Sequence, residues 1–241
     1  MGECMKIFAV SDVHGHCTLL REALNEAGYD GENPHHLLVC CGDYFDRGKE
    51  NVEVLKFFER QKNCVKLKGN HEEMFKKLLN DGKILSHHYS NGTIQTILDF
   101  FGPYAIDPVT DIIDFSGKTG TVDRLCDFID ETVDYFETKN YIFVHGWLPE
   151  VGADRDWHDA TPEQWHDARW AKWTSKYMRR RPHPDKTLVC GHVPTLYAYV
   201  HDNARSPVSS SIFYRDGLIA IDAGTVSSGR VNVLVIEDEL I

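Results

Sequence analysis

Short apolar runs alternate with helix-like segments in the first 80 residues, and this alternation constrains the fold most strongly. The apolar runs lie at residues 6–10, 36–41 and 64–67. Between them, residues 17–28 and 51–61 carry apolar side chains at helical spacing, and a third helix is expected from about residue 71 to 79. Strands that alternate with helices form parallel sheets from strand–helix–strand units. The sequence therefore predicts an α/β protein.

The rest of the chain departs from this rhythm. Residues 81–138 have helical periodicity at 90–101 and 121–136, which predicts a helical insertion. Strands are expected again at 141–144 and 187–190, on either side of an irregular stretch at 147–186. The segments 212–214, 218–221 and 231–236 are separated by turn residues, which indicates antiparallel hairpins. A length of 241 residues suits a single domain, residues 1–241.

Composition excludes some classes of function. The chain has 37 acidic and 26 basic residues, a net charge of −11, which argues against binding to nucleic acid or to a membrane surface. Seven cysteines without a CxxC pair favour a reducing compartment, and no apolar window is long enough to span a bilayer. We therefore expect a cytoplasmic protein. The run Arg179-Arg180-Arg181 could attract anionic substrates.

Polar residues beside glycines follow five of the expected strands. Because the carboxyl ends of strands form the usual ligand site of an open α/β sheet, these side chains should meet. A single such Asp or His would more often cap a helix or turn. Carboxylates converging at one edge would repel each other without a cation, and oxygen ligands mixed with imidazole suit Mn, Fe or Zn. The six candidate ligands are Asp12, His14, Asp43, Asn70, His145 and His192. They suit two metals that share one carboxylate, with Asp43 as the natural bridge.

The order and spacing of these motifs resemble those of a known superfamily. The motifs DxH, GDYFDRG, LKGNHE, VHG and GH span residues 11–192. Together they resemble the calcineurin-like metallophosphoesterases, and GDYFDRG and LKGNHE resemble the serine/threonine phosphoprotein phosphatases. The resemblance implies a four-layer αββα sandwich of two mixed sheets flanked by helices. It also implies two divalent metal ions, with manganese favoured over iron or zinc.

The resemblance assigns roles to individual residues. One metal would be held by Asp12, His14 and Asp43, and the other by Asp43, Asn70, His145 and His192. A metal-bridging hydroxide would attack phosphorus in line. His71, oriented by Asp46, would protonate the leaving alkoxide as general acid. Arg47 would clamp the phosphate, and Asn70 and Lys172 would also contact the substrate.

Some local features are typical of the bacterial and phage-like branch, which lies near the dinucleoside tetraphosphatases. These relatives have His-Ala-Gly where this chain has His145-Gly146-Trp147. They also carry a phosphate-binding arginine two residues after a tryptophan, and Lys172 stands at that position here. Lys172 would be a weaker point-charge substitute, with Arg169 as a rival. The tryptophans of residues 157–173 are expected to pack under a loop, and a base-stacking role would favour a dinucleotide substrate.

Three functions remain open. A serine/threonine phosphoprotein phosphatase is the first choice, acting on a phosphorylated protein or another phosphate ester. A dinucleoside polyphosphate hydrolase, such as one cleaving diadenosine tetraphosphate, would use the same metals. A non-catalytic phosphate-binding protein that kept the fold is disfavoured, because all six ligands and His71 are present.

Overall fold

The computed structural model describes residues 4–152, 155–177, 181–201 and 209–241. Arg179 and Arg180 of the arginine run lie outside these ranges.

The first sheet has four strands in the order β3-β2-β1-β9. Strands β1 (Cys4–Val10), β2 (His36–Cys40) and β3 (Cys64–Lys66) are parallel, as the alternating pattern predicts. Strand β9 (Leu234–Glu239) pairs antiparallel with β1. The sheet is therefore mixed.

The second sheet has five strands in the order β4-β5-β6-β8-β7. Its parallel centre consists of β5 (Tyr141–Val144), β6 (Thr187–Cys190) and β8 (Leu218–Ala220). The antiparallel strands β4 (Tyr135–Glu137) and β7 (Phe213–Arg215) flank this centre.

Helices cover the outer faces of both sheets. The first sheet is covered by helices that include α1 (Cys17–Glu26), α2 (Asn51–Glu59), α3 (Asn70–Asp81), α5 (Thr93–Phe101) and α6 (Thr119–Asp130). The second is covered by helices that include α7 (Pro162–Trp170), α8 (Trp173–Tyr177) and α9 (Leu196–His201). Two short helices, α4 (Ser86–Ser90) and α10 (Thr225–Ser228), and a 3-10 turn at Trp157–Asp159 complete the set within the described residues.

The two sheets pack face to face through a shared apolar core. Ile7 and Ala9 of β1 and Val39 of β2 contact Phe143 and Val189 of the second sheet in this core. The alternate residues of β1, such as Phe8, face the helices instead. Side chains of a strand point alternately to opposite faces, so β1 is buried on both sides. The four-layer αββα sandwich is confirmed.

Three parts of the secondary-structure prediction are wrong. The stretch at 147–186, expected to be irregular, contains α7 and α8. The helix expected at 121–136 ends at Asp130, because residues 135–137 form β4 on the edge of the second sheet. The insertion at 81–138 is therefore mainly, but not wholly, helical. The last two strands do not form a hairpin, because α10 intervenes and β9 joins the other sheet. Periodicity detects the local elements but does not say which sheet a strand joins.

In the described part of the chain, no helix is both long enough and apolar enough to cross a bilayer.

Candidate dimetal centre

The predicted ligands meet at one edge of the sandwich, where strands of both sheets end. Asp12 and His14 follow β1, Asp43 follows β2 and Asn70 opens α3. His145 and His192 follow β5 and β6 of the second sheet. Five of the six residues are buried at 3% exposure or less, the exception being the half-buried His192. The sheet edge thus builds one polar cluster from two sheets.

The backbone at this edge is left-handed at residues that are not glycine. Seven non-glycine residues of the described chain have positive φ, and six of them belong to the site. They are Asp12, His14, Asp43, Asp46, Arg47 and His192. An L-residue rarely adopts this conformation, and such strain is concentrated at functional sites. The fold therefore holds these side chains where relaxed strands and loops would not place them.

Two glycines allow the strand ends to approach. A Cβ on Gly42 would lie 2.6 Å from the backbone nitrogen of Gly69 and 2.8 Å from Nδ1 of His145. A Cβ on Gly191 would lie 2.3 Å from Oδ2 of Asp12. Neither site has room for a side chain, so these glycines let the ligand-bearing loops close on each other.

Asp43 lies at the centre of the cluster. Its Oδ2 is 3.6 Å from Nε2 of His14, and its Oδ1 is 3.4 Å from Nε2 of His145. Two groups with ligand atoms within 4.8 Å of one another share this residue: Asp43 with His14 and His71, and Asp43 with His145 and His192. The two carboxylate oxygens thus face different imidazoles, which would allow this carboxylate to bridge two metals.

Hydrogen bonds to backbone carbonyls orient two of the imidazoles. Nδ1 of His14 lies 2.8 Å from the carbonyl oxygen of Phe45, and Nδ1 of His145 lies 2.7 Å from that of Cys41. A carbonyl only accepts, so each Nδ1 carries a proton and the neutral ring keeps a lone pair on Nε2. Both lone pairs thus face the inside of the cluster.

The contact between His145 and Asn70 tests whether a cation fits. Nε2 of His145 lies 2.8 Å from Oδ1 of Asn70. In the tautomer with its proton on Nδ1, Nε2 of His145 and Oδ1 of Asn70 could both donate electron pairs to one cation. The surrounding set of carboxylates, imidazoles and an amide oxygen suits Mn, Fe or Zn. The residues present therefore fit a pair of divalent metal ions.

Asp12 is held by donors from both sheets. Its Oδ2 accepts the backbone N–H of His192 at 2.9 Å and the hydroxyl of Ser11. Its Oδ1 lies 3.9 Å from Nε2 of His14. One oxygen is thus fixed by the protein while the other faces the predicted first metal position.

Burial and charge shift the pKa values of the cluster in opposite directions. Burial, with the nearby Asp43 charge, raises the pKa of Asp12 to about 6. Burial would also raise the pKa of Asp43, but the surrounding imidazoles, His145 foremost, bring it below the ordinary value. Burial, followed by the His145 charge, lowers the pKa of His192 to about 4. Ionised Asp43 and neutral His192 are the forms that bind metal.

His71 and Asp46 form a buried pair beside the cluster. Nδ1 of His71 lies 2.7 Å from Oδ2 of Asp46. Burial alone would lower the pKa of His71, but the carboxylates of Asp43 and Asp46 outweigh it and raise that pKa to about 9. The predicted partners are therefore brought together in a geometry that fixes and charges the imidazole.

Arg47 reaches into the cluster from an exposed position. Its Nη1 lies 2.8 Å from Nε2 of His14, and its Nη2 lies 3.1 Å from Nε2 of His71. An arginine N–H and a metal ion cannot use the same imidazole lone pair. Likewise, a protonated His71 has no lone pair on Nε2 to accept from Arg47. Metal binding at His14 and protonation of His71 therefore both require the guanidinium to move, and its long side chain allows this.

The two predicted basic groups of the α7 region lie outside the cluster. Arg169 is bound by carboxylates, with Nη2 at 3.0 Å from Glu73 and Nη1 at 2.5 Å from Asp134. Lys172 is exposed, and its side chain has no hydrogen bond or ion pair to the cluster in the described structure. Arg169 is thus committed to other partners, whereas the Lys172 ammonium is not tied to a carboxylate there.

Sequence reasoning missed two buried acids at this edge. Glu72 is fully buried and accepts the backbone N–H groups of Asp43 at 2.8 Å and Tyr44 at 2.9 Å. Asp222 follows β8, and burial, with Asp12 next, raises its pKa well above the ordinary value. Asp222 could have been found, because it follows a strand in the same way as the residues that were recognised. The LKGNHE motif contains Glu72 but does not reveal its contacts.

The insertion supplies two further residues whose contacts sequence reasoning missed. Thr93 and Thr96 of α5 are fully buried and donate hydrogen bonds to the carboxylate of Asp46, each at 2.9 Å. Their signal in the sequence is only a pair of hydroxyls three residues apart, which place both on one helix face.

Comparison with known proteins decides the family. A family description, calcineurin-like phosphoesterase, matches residues 5–221, which is most of the chain. The chain belongs to the calcineurin-like phosphoesterase family. The second sheet and all six candidate ligands of this phosphoesterase lie within the matched range. Strand β9 follows that range and pairs with β1 of the first sheet.

Relatives by sequence match only part of the chain. Serine/threonine-protein phosphatase 2 from Escherichia coli (strain K12) is 37% identical over 68 residues, which is 28% of this chain and 30% of that protein. The protein of the same name from Salmonella typhimurium matches to the same extent. The match spans less than a third of the length of these relatives.

Solved structures match nearly the whole phosphoesterase fold. A putative diadenosine tetraphosphatase has a TM-score of 0.57 at 17% identity, covering 98% of this chain and 94% of that chain. A serine/threonine phosphatase from Saccharomyces cerevisiae has a TM-score of 0.51 at 13% identity, covering 98% and 80%. At this level of identity the likeness shows the fold.

A groove of about 550 Å³ lies beside α3 and α4 of this phosphoesterase and includes Trp170, a neighbour of His192. Its walls include Met74, Asn91 and Trp170. The Trp170 indole is 41% exposed, and its ring centroid lies 6.4 Å from that of His192. Trp165 and Trp173 are buried, so the expected packing role holds for them and not for Trp170.

Proposed function

We propose that this protein is a dimetal-dependent serine/threonine phosphoprotein phosphatase. The observation that carries the proposal is Asp43, whose two oxygens face two histidine groups, beside the buried His71–Asp46 pair. Membership of the phosphoesterase family and the partial match to serine/threonine-protein phosphatase 2 support it. We infer that residues 1–241 act as one domain.

Six residues would hold the metals. Asp12, His14 and Asp43 would hold one ion, and Asp43, Asn70, His145 and His192 would hold the other. We propose manganese, with iron or zinc as alternatives that the same ligand types accept. When bound, two such ions would activate a water for attack and neutralise phosphoryl oxygens.

The His71–Asp46 pair would supply a proton to the leaving group. The raised pKa of about 9 keeps His71 protonated near neutral pH. Asp46 fixes Nδ1, so the proton on Nε2 faces the site side of the ring, where Asp43 lies at 3.8 Å. A seryl or threonyl alkoxide is a poor leaving group and needs this proton.

Three residues would hold the substrate phosphate. The planar guanidinium of Arg47 can bind two phosphate oxygens once it leaves His14 and His71. Asn70 would contribute its side-chain amide, and Lys172 a longer-range positive charge. The substrate would be a phosphorylated protein in the cytoplasm, and the seven free cysteines are in keeping with a reducing compartment.

One experiment tests the proposal. Purified protein should hydrolyse an aryl phosphate and a phosphoserine peptide with manganese present and lose both activities with chelator. Metal analysis of protein prepared without chelator should give close to two ions per chain. Absence of metal-dependent turnover on every phosphate ester would contradict the proposal.

A second candidate is a dinucleoside polyphosphate hydrolase, and the exposed Trp170 favours it. An indole next to His192 in an open groove could stack on a nucleobase, which typically contributes about 1–3 kcal/mol. Diadenosine tetraphosphate and a phosphoserine peptide should be assayed side by side. If Trp170→Ala impairs only the dinucleotide reaction, and that reaction is the faster one in the wild type, the second candidate replaces the first.

A further inference from the structure

Helix α5 contacts every hydrogen-bonding group of Asp46 except the carbonyl. The Thr93 hydroxyl donates to Oδ2 at 2.9 Å, and the Thr96 hydroxyl donates to Oδ1 at 2.9 Å. The Thr96 oxygen also accepts the backbone N–H of Asp46 at 3.0 Å. Asp46 therefore has both carboxylate oxygens and its N–H fixed by one helix of the insertion.

A second connection reaches the same residue from α5. Asn51 accepts the N–H of Asp46 on Oδ1 at 3.1 Å and donates from Nδ2 to Asp99 of α5 at 2.7 Å. Asp46 itself has a φ of +72°, in the left-handed region that residues other than glycine uncommonly adopt. The contacts with α5 hold the residue in that conformation.

Burial gives these hydrogen bonds their weight. Asp46, Thr93, Thr96 and His71 are each exposed by 3% or less. A buried carboxylate without donors would be costly, so the two hydroxyls satisfy the lone pairs that His71 does not use. In a helix, a threonine hydroxyl commonly bonds its own backbone, but here both hydroxyls are directed to a residue about fifty positions earlier.

We propose that Thr93 and Thr96 are positioning residues that hold Asp46 against Nδ1 of His71 and thereby aim the general acid at the leaving group. The proposal rests on the proposed phosphatase function, because it explains how His71, the general acid of that function, is held in place. It gives the insertion at 81–138 a role in catalysis. Neither threonine touches the substrate or the metals in this role.

The test compares leaving groups. We expect Thr93→Val/Thr96→Val to lower kcat about 10- to 100-fold for a phosphoserine peptide, because a misaimed acid loses part of its typical 10²–10⁴-fold contribution. The loss for a nitrophenyl phosphate, whose leaving group needs no proton, should be only a few-fold by the same reasoning. KM and the metal content per chain should stay near the wild-type values.

Three further variants separate positioning from simple loss of packing. Thr93→Ser/Thr96→Ser keeps the hydroxyls and should restore most of the kcat. Thr132→Val is the matched control, because Thr132 is a buried threonine of the same insertion whose hydroxyl bonds the carbonyl of Ile129. In an Asp46→Asn background, the two valines should add little further loss, because residues that act through one partner are not additive.

An NMR measurement tests whether the threonines position His71 without depending on phosphatase activity. The Nδ1 proton of His71 should give a downfield NMR signal that is absent in His71→Asn, and the double valine variant should shift or broaden it. Equal losses for both leaving groups, full additivity with Asp46→Asn, or an unchanged signal would overturn the inference. If the wild type has no turnover, the phosphatase proposal fails, and the signal still decides whether the threonines position His71.

Discussion

At the residue scale, several side chains of the site belong to residues with positive φ, a conformation that residues other than glycine rarely adopt. Asp12, Asp43 and His192 have φ values of +53°, +59° and +66°. A left-handed L-residue costs roughly 1–2 kcal/mol, so the surrounding contacts must offset several such costs. The strain places both oxygens of Asp43 between two histidine groups instead of against solvent.

Asp43→Asn should reduce activity more than any other single ligand change. The substitution removes the charge that faces both His14 and His145, so it weakens both metal positions together. We expect a loss beyond the 10- to 100-fold typical of changes around a metal ligand, and fewer than two ions bound per chain. Kinetics at saturating manganese and metal analysis measure both effects.

Asp12→Asn is the matched control, because Asp12 is a candidate ligand near His14 that is not shared between the two groups. It should cost less activity and leave one ion bound. Near wild-type activity of Asp43→Asn would show that Asp43 is not the bridge.

His71→Asn should lower kcat while leaving the metal content intact. His71 bonds Asp46, and its removal costs the leaving group its proton. The loss should be larger for phosphoserine than for nitrophenyl phosphate. Loss of metal from this variant would instead make His71 a ligand.

His71 should also make kcat depend on pH. The pKa of His71 is raised to about 9, so the acid form persists through neutral pH and is lost as pH rises through that value. Wild-type kcat for phosphoserine should therefore fall on the alkaline side, and His71→Asn should lack this fall. A pH profile of kcat for both proteins measures it, and identical profiles would exclude His71 as the acid.

At the element scale, the segment of α4 and α5 contacts the loop that follows β2. Between these helices, Gly92 has a φ of +77° and its carbonyl accepts the backbone N–H of Arg47 at 3.3 Å. A Cβ on Gly92 would lie 2.7 Å from the backbone nitrogen and Cα of Arg47. The insertion thus sets the position of the loop that carries Asp46 and Arg47.

Gly92→Ala should lower catalytic activity by more than its loss of folding stability would explain. The added methyl group cannot fit without moving Arg47, whereas the left-handed strain alone costs roughly 1–2 kcal/mol. Gly28→Ala is the matched control, because Gly28 has a φ of +80° and open space around the new Cβ. Gly92→Ala should lower the unfolding temperature more than Gly28→Ala, because its methyl group also meets the backbone of Arg47, and only Gly92→Ala should raise KM and lower kcat. Equal kinetic constants for the two variants would contradict the inference that the insertion positions the loop of Asp46 and Arg47.

At the scale of the whole molecule, the centre exists only because two sheets pack face to face. Asp12, Asp43 and Asn70 come from the first sheet, and His145 and His192 from the second. The long stretch after β5 is tied to the edge of the second sheet by His158, whose Nε2 lies 2.8 Å from Glu137 of β4. His158 also pairs with Asp156 at 2.5 Å.

Stability should depend on pH through His158. Burial acts to lower the pKa of His158, but Glu137 and Asp156 raise it above its ordinary value near 6.5. A raised pKa in the folded state contributes stability that is present below the unfolded pKa and is lost as pH rises through the folded one. The free energy of unfolding of wild type relative to His158→Gln should therefore fall between about pH 6 and pH 9. Urea unfolding at both pH values measures this difference, and a constant difference would contradict it.

Much of the fold could be predicted, because local patterns report on local structure. The alternation of apolar runs and helices predicted β1 to β3 with their parallel order, and the strand-end motifs predicted the edge where His14 and Asn70 lie. Prediction failed at residues 133–136, where an apolar stripe of helical spacing continues into β4. An edge strand is selected by its partner β5, and that partner is not visible in the local pattern.

The sequence by itself determined which side chains end the strands, and these supply the carboxylate, imidazole and amide groups of the site. Only the tertiary structure decided how they are held. Thr93 and Thr96 support Asp46 from some fifty residues away, Glu72 fixes the loop of Asp43, and Trp170 stays exposed while its neighbouring tryptophans are buried. These contacts join segments that are distant along the chain, and their energies depend on burial and orientation. Composition and spacing carry neither quantity, because both arise only when the two sheets and the insertion pack together.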